Sequence, residues 1–143
     1  KTKLDLNQEK TFTDLKTTVT FSLVKGKTYN FVFWAQAENG APYSWENGDL
    51  KNIKISYDNA LANDETRDAF YATRKELKVN GALTETIKLY RPFAQVNFGT
   101  ADYTEAVAAG LKPVKSVFTA TSVATEFDTF EAEGKEETDL QGF

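Results

Sequence analysis

Residues 83–100 read LTETIKLYRPFAQVNFGT, and this stretch decides the fold class of the chain. Apolar side chains alternate with polar ones through most of it, at Ile87, Leu89, Ala94, Val96 and Phe98. A period of two is typical of a β-strand, because successive side chains point to opposite faces. The parity changes at Arg91 and Pro92, and proline, which has no N–H for a ladder, belongs at a strand edge or a bulge. We therefore predict one long strand that bends at Pro92 and keeps an apolar face on the core.

Further strands are predicted on both sides of this stretch, in residues 19–23, 29–34, 53–57, 77–79 and 114–123. Residues 29–34 are apolar in both parities, which is typical of a central strand buried on both faces. Residues 77–79 are expected to form a hairpin with the strand that follows, through a three-residue bulged loop around Asn80 and Gly81. Strands that recur about every 8–12 residues favour an all-β fold of two antiparallel sheets, a β-sandwich.

Two short helical segments interrupt the strands. A helical turn is predicted near residues 64–70, because Asn63 and Asp64 offer capping oxygens and acidic residues follow them. A short helix is predicted near residues 102–109, where Asp102 and Glu105 fit a capping box and Gly110 suits the position after the helix.

The length of 143 residues suits one domain, and 11 Phe, 6 Tyr and 2 Trp residues supply enough apolar surface for a core. Acids dominate the end of the chain, so residues 131–143 are predicted to be a mobile tail. Both ends resemble cuts made inside a longer protein. We therefore expect residues 1–143 to be a single β-sandwich domain, a fragment of a longer protein.

Composition excludes several classes of function. The chain contains no Cys and no His, so a thiolate nucleophile, a zinc site of the cysteine type and a Ser-His-Asp triad are absent. The net charge is −4 with no basic stripe, which argues against nucleic acid as a partner. No P-loop or dinucleotide-binding turn occurs, and no run reaches the roughly 18 apolar residues of a membrane helix. The expectation is a protein that is not an enzyme and carries no cofactor.

Two groups of side chains are candidate binding residues. The acids Asp58, Asp64 and Asp68 could hold calcium, but their spacing matches no EF-hand, and a capped, solvated loop is the preferred explanation. Tyr43 and Trp45 lie in a polar loop and could form an aromatic platform for a sugar or another ligand, or fold back as a lid on the sandwich. Arg91 is expected to extend to solvent or to pair with a nearby carboxylate.

Three segments together resemble one known family: residues 26–35 (GKTYNFVFWA), 63–71 (NDETRDAFY) and 89–100 (LYRPFAQVNFGT). This combination resembles the N-terminal domain of Bacteroidales fimbrillin-like (FimA/Mfa-like) surface proteins, over about residues 19–130. The structural signature comprises Trp34, Asp68, Arg91 and Pro92.

The resemblance implies a transthyretin-like, Greek-key β-sandwich that forms one domain of a two-domain, exported lipoprotein displayed on the outer membrane. It also implies a fimbrial subunit or adhesin that pairs with other subunits or with itself by strand exchange, which is a form of β-augmentation. The chain departs from the family pattern, since it has no lipobox Cys and its arginines (Arg67, Arg74 and Arg91) lie inside the domain. The alternative is a surface module that binds host or bacterial glycans or proteins.

Overall fold

Two antiparallel β-sheets make up the computed structural model, which describes residues 7–61, 64–111 and 117–141. The strands are β1 (Thr28–Gln36), β2 (Tyr43–Ser44), β3 (Ile53–Ile55), β4 (Ala69–Lys78), β5 (Thr119–Asp128) and β6 (Glu133–Gln141). The small sheet contains β1 and β4, and the large sheet has the order β2-β3-β5-β6. The predicted all-β architecture of two antiparallel sheets is confirmed.

An aromatic cluster joins the two sheets. Phe127 of β5 is 4% exposed, and its ring centroid lies 5.0 Å from that of Tyr71 on β4 and 6.2 Å from that of Trp34 on β1. Phe93, from the predicted long strand, completes the cluster at 5.7 Å from Phe127. Edge-to-face contacts of this kind contribute beyond the area that they bury. The core therefore lies between the inner faces of the sheets, as in a β-sandwich.

Both predicted helical segments are present. A 3₁₀ turn spans Glu65–Arg67, and the Asp64 carboxylate accepts hydrogen bonds from the backbone N–H and the hydroxyl of Thr66. Asn63 lies outside the described residues. The helix α1 (Tyr103–Ala108) begins without the predicted capping box, because Asp102 has φ −113° and ψ 17° instead of the extended backbone that a capping residue needs, and its side chain makes no capping bond.

The end of α1 follows the prediction for Gly110. This glycine has φ +80°, the left-handed conformation that glycine adopts without steric cost. Its N–H donates to the carbonyl of Val107 at 3.0 Å, and the N–H of Leu111 donates to that of Ala106 at 2.9 Å. This pair of bonds is the Schellman motif, which satisfies carbonyls that the helix leaves free.

One predicted strand and one predicted hairpin do not form, although the strand predicted at residues 77–79 is present as the end of β4. Residues 19–23 have no strand pairing, and the hairpin predicted after residues 77–79 is absent, since β4 ends at Lys78. Residues 83–100 make one isolated bridge, between Tyr90 and Tyr71. Beyond Pro92 the chain sends Phe93 into the core, so Val96 and Phe98 are 67% and 71% exposed instead of buried.

The C-terminal half of the chain also differs from the predictions. Residues 114–116 of the strand predicted at 114–123 lie outside the described residues, and β5 begins at Thr119. The acidic residues 131–143, predicted as a mobile tail, instead contribute β6, which is hydrogen-bonded to β5 through residue 141. Lys135 offsets part of the acidic charge, because its ammonium pairs with Asp128 at 2.7 Å.

The close approach of β5 and β6 gives a first testable prediction, at Gly134. A Cβ placed on Gly134 would lie 2.7 Å from the Cβ of Ala124, which is closer than side-chain carbons pack. We expect Gly134→Ala to lower the free energy of unfolding by about 1 kcal/mol. This loss is at the low end for overpacking, because an edge strand can shift to relieve the contact. Urea titration measures the loss. Adding Ala124→Gly should restore most of it, and a double variant no more stable than Gly134→Ala would contradict the clash.

Candidate functional site

The side of β1 that faces away from β4, here called the open edge, is the candidate site. Among the residues that the structure describes, β4 is the only strand paired with β1, from Thr28 opposite Lys78 to Gln36 opposite Ala69. The register shifts between Tyr29 and Phe31 and is continuous from there to Gln36. A strand with one unpaired side presents a row of N–H and C=O groups to which another strand can bond.

The backbone groups at the open edge can be identified from β4. Tyr71 uses both its N–H and its C=O to bond Tyr90 at 2.9 Å, so neither group points toward β1. Trp34 is directly opposite Tyr71. In an antiparallel pair of this type both residues point their backbone groups away from each other, and the pattern repeats every second residue. The N–H and C=O groups of Trp34 and Val32 therefore point to the open edge.

The open edge of β1 lacks the charges that protect other sheet edges. The nine residues of β1, TYNFVFWAQ, include no charged side chain. At the far side of the large sheet, β6 carries Glu133, Glu136, Glu137 and Asp139. The edge strand β2 has only two residues, and β4 is partly covered by the bridge to Tyr90. Charged and very short edge strands disfavour unwanted pairing, so β1 is the edge most open to another strand.

Aromatic side chains cover part of β1. The rings of Phe31 and Phe33 are stacked with centroids 6.1 Å apart, and Phe21 packs on Phe31 at 5.5 Å. The strand was predicted to be central and buried on both faces, and that prediction is wrong, because β1 lies at a sheet edge with half-buried side chains. Aromatic residues fit an edge and a centre equally well. No residue of β1 signals the edge in the sequence, and the sheet order alone shows it.

The four signature residues have structural contacts. Trp34 packs edge-to-face on Tyr43 at 5.2 Å, and its Nε1 donates to Gln36 Oε1 at 2.8 Å. Arg91 pairs with Asp68, which agrees with the carboxylate-pairing interpretation, and its guanidinium lies 5.6 Å from the Phe70 ring centroid. Pro92 directly precedes the core residue Phe93. Trp34 thus joins β1 to β2, and Arg91 joins its own segment to the start of β4.

The structure buries Tyr43, one of the two residues of the predicted aromatic platform. Tyr43 is 8% exposed, stacks on Phe93 at 5.9 Å, and donates its hydroxyl to the carbonyl of Arg67. Burial raises the pKa of Tyr43 to about 12, and Arg67 offsets part of that rise. This burial agrees with the alternative that Tyr43 folds back onto the sandwich, and ligand binding by Tyr43 stays a prediction. Trp45 is half-buried and stays a prediction.

The three candidate metal ligands are engaged separately. Asp58 accepts from the Ser56 hydroxyl at 3.0 Å, and Asp68 pairs with Arg91. Asp64 caps the 3₁₀ turn, and the hydroxyl and amide of Thr66 lower the pKa of its carboxyl. Within residues 7–61, 64–111 and 117–141, no three acidic side chains converge as a metal site would need. The structure does not bring the predicted calcium ligands together.

A shallow depression of about 470 Å³ lies on the large sheet. Its polar lining comes from β2, β3, β5, β6 and the residues after β3, namely Ser44, Lys54, Ser56, Asp58, Thr125 and Thr138. Hydroxyl groups with one cation and one anion can hydrogen-bond a neutral polar molecule. The volume falls in the range of small-molecule sites.

In the part of the chain that the structure describes, no helix has the length and apolar character needed to cross a membrane.

Comparisons with known proteins give a family and no function. Neither the comparison with curated proteins nor that with solved structures finds a match. The profile of a family of unknown function, DUF6562, matches residues 1–142, and the chain therefore belongs to that family.

Proposed function

We propose that this chain is a non-enzymatic cell-surface domain, a fimbrial subunit or adhesin, which assembles by β-strand pairing at the open edge of β1. The observation that carries the proposal is the nine-residue, uncharged β1, one side of which pairs with no strand within residues 7–61, 64–111 and 117–141. The resemblance of residues 26–35, 63–71 and 89–100 to fimbrillin-like proteins supports export and display on the outer membrane. Other subunits or further copies of this chain would supply the added strand.

The unequal size of the two sheets supports strand addition. Among the described residues the small sheet has two strands and the large sheet has four, so the small sheet can gain strands and still face the large one. A partner strand at β1 would bond the free N–H and C=O groups of Val32 and Trp34 and extend the small sheet. Backbone bonds would supply the affinity, and alternating side chains would set the register.

Replacing Val32 with proline tests the proposal. Proline removes an N–H that points to the open edge and leaves the bonds between β1 and β4 in place, since proline is tolerated at edge strands. We expect the wild-type protein to associate as its concentration rises, and Val32→Pro to weaken that association at least about tenfold, through lost bonds and the bulk of the ring. Analytical ultracentrifugation measures both.

The matched control is Val19→Pro, because Val19 lies outside every strand. This variant should associate like the wild type, and far-ultraviolet circular dichroism should show that both variants keep the fold. A wild-type protein that stays monomeric, or an equal effect of the two variants, would contradict pairing between copies at β1.

Glycan binding is the second candidate, favoured by the hydroxyl-lined depression. Ser56 and Thr138 line it, and Ser44, also in its lining, directly precedes Trp45. A glycan array should show binding that Ser56→Ala with Thr138→Ala abolishes, and that Trp45→Ala weakens if the indole contacts the sugar. No binding by the wild-type protein would rule out this candidate.

A further inference from the structure

Residues 84–91, here called the strap, run antiparallel alongside the outer side of β4. The backbone contact is the pair of bonds between Tyr90 and Tyr71, each 2.9 Å long. Toward one end, Arg74 donates two hydrogen bonds to the Glu85 carboxylate, at 2.9 and 3.1 Å. Toward the other end, the Arg91 guanidinium lies over the ring of Phe70. Contacts near both ends, at Glu85 and at Tyr90 and Arg91, thus hold the strap against β4.

These contacts agree on a single register. With Tyr71 opposite Tyr90, an antiparallel ladder puts Phe70 opposite Arg91, which matches the observed contact of these two residues. The same register makes Arg74 and Glu85 diagonal neighbours on one face, within reach of long side chains. Ile87 and Leu89 are half-buried while their neighbours are exposed, so burial alternates with a period of two.

We propose that the strap closes onto β4 and becomes the third strand of the small sheet, with the Tyr71–Tyr90 bridge as its first rung. Closure adds rungs between Thr73 and Lys88 and between Lys75 and Thr86, which are the next hydrogen-bonded pairs in this register. Side-chain contacts already hold the strap in place. Closure therefore requires a change in the backbone between the contacts at Glu85 and Tyr90.

Pro92 limits the strap at its C-terminal end. In this register the residues that donate to β4 are Thr86, Lys88 and Tyr90, and the next donor position is 92. Proline has no N–H to donate, so pairing ends at Tyr90 and the chain is free to turn Phe93 into the core. The change of parity at Pro92 therefore marks the end of a strand instead of a bulge within one.

Closure would decide which edge of the small sheet a partner can use. A closed strap occupies the outer side of β4 and leaves β1 as the edge that accepts a strand. This consequence rests on the proposed function, whereas closure itself does not. Pairing on one side only would give an assembly a single direction of growth.

Hydrogen exchange of single amides tests closure in the monomer. At a concentration where the protein does not associate, NMR should show amides of Thr86, Lys88 and Tyr90 exchanging at least about tenfold more slowly than those of Ile87 and Leu89. The reason is that only the first three donate to β4 in this register. Uniformly fast exchange at Thr86 and Lys88, or protection without alternation, would overturn the proposal.

Exchanging the charges of Arg74 and Glu85 tests whether their ion pair holds the strap on β4. Glu85→Arg places two cations together, so protection at Thr86 and Lys88 should fall toward the level of Ile87, and adding Arg74→Glu should restore it. Glu46→Arg is the matched control, since Glu46 contacts Lys54 on the large sheet and should leave the strap unchanged. A double variant that stays unprotected would also contradict closure. Association is not measured here, so failure of strand addition at β1 would leave this result standing.

Discussion

Replacement of Phe127 by alanine should lower the free energy of unfolding by about 3–5 kcal/mol, the largest effect expected of any single change in this chain. Phe127 is 4% exposed, and its ring contacts Trp34, Tyr71 and Phe93. Phe127 belongs to the large sheet, Trp34 and Tyr71 belong to the small sheet, and Phe93 lies in the segment after the strap. Truncation therefore removes apolar burial and leaves a cavity where three parts of the fold meet. A loss of this size is a large part of the stability of a small domain.

The measurement is the urea midpoint, with Phe98→Ala as the matched control. Phe98 is the same residue type, but it is 71% exposed, and its ring stacks on Phe118 away from the core cluster. Its replacement should change the free energy of unfolding by less than about 1 kcal/mol. Equal effects of the two variants would mean that the sheets do not share a core at Phe127.

Features set by neighbouring residues could be predicted from the sequence. The 3₁₀ turn depends on Asp64 and Thr66, two residues apart, and the end of α1 depends on Gly110. Both use backbone bonds that close within a few residues, so local residue types determine them. The strand at Ile53–Ile55 was predicted because its alternation is strict and its inner residues are fully apolar.

Pairing between distant segments could not be predicted in the same way. Residues 19–23 and 83–100 alternate as strands do, yet alternation gives a face and says nothing about which strand, if any, lies beside it. In the second stretch, the chain leaves β4 at Pro92 and inserts Phe93, so Val96 and Phe98 lose the face predicted for them. Tertiary packing at one residue thus overrides the local pattern.

The acidic C-terminal segment and the open edge show the same limit. Composition favours a solvated tail for residues 133–141, but pairing with β5 and the bond from Lys135 to Asp128 stabilise a strand. In β1, apolar residues in both parities are typical of a central strand, and only the sheet order shows that it lies at an edge. The candidate site therefore depends on topology, whereas the residues predicted for it, Tyr43 and Trp45, depended on residue type.

Asp128 should be the most sensitive polar position in the protein. Its side chain lies at the turn between β5 and β6, where one carboxylate oxygen accepts the N–H of Phe130 at 2.9 Å and of Glu131 at 3.1 Å. The other oxygen accepts from Lys135 at 2.7 Å. We expect Asp128→Ala to lower the free energy of unfolding by about 2–3 kcal/mol, because it leaves turn donors unsatisfied and removes a charge-assisted bond. Partial exposure of Lys135 to solvent keeps the loss below that for a fully buried pair.

The pH dependence separates the charge from the hydrogen bonds at this turn. Burial acts to raise the pKa of Asp128, but bonds from Lys135, Glu131 and Phe130 together outweigh it and lower the pKa. A carboxyl whose pKa is lower in the folded state stabilises the protein fully above its unfolded value of about 3.9, and that contribution is lost as the pH falls through the folded value. Asp128→Asn keeps an acceptor for the turn N–H groups and loses only the charge. In urea titrations, the free energy of unfolding of Asp128→Asn should be lower than that of the wild type by its largest amount at pH 6. This difference should shrink progressively below about pH 4. A deficit that is the same at pH 6 and pH 3 would mean that the carboxylate charge contributes nothing to the turn.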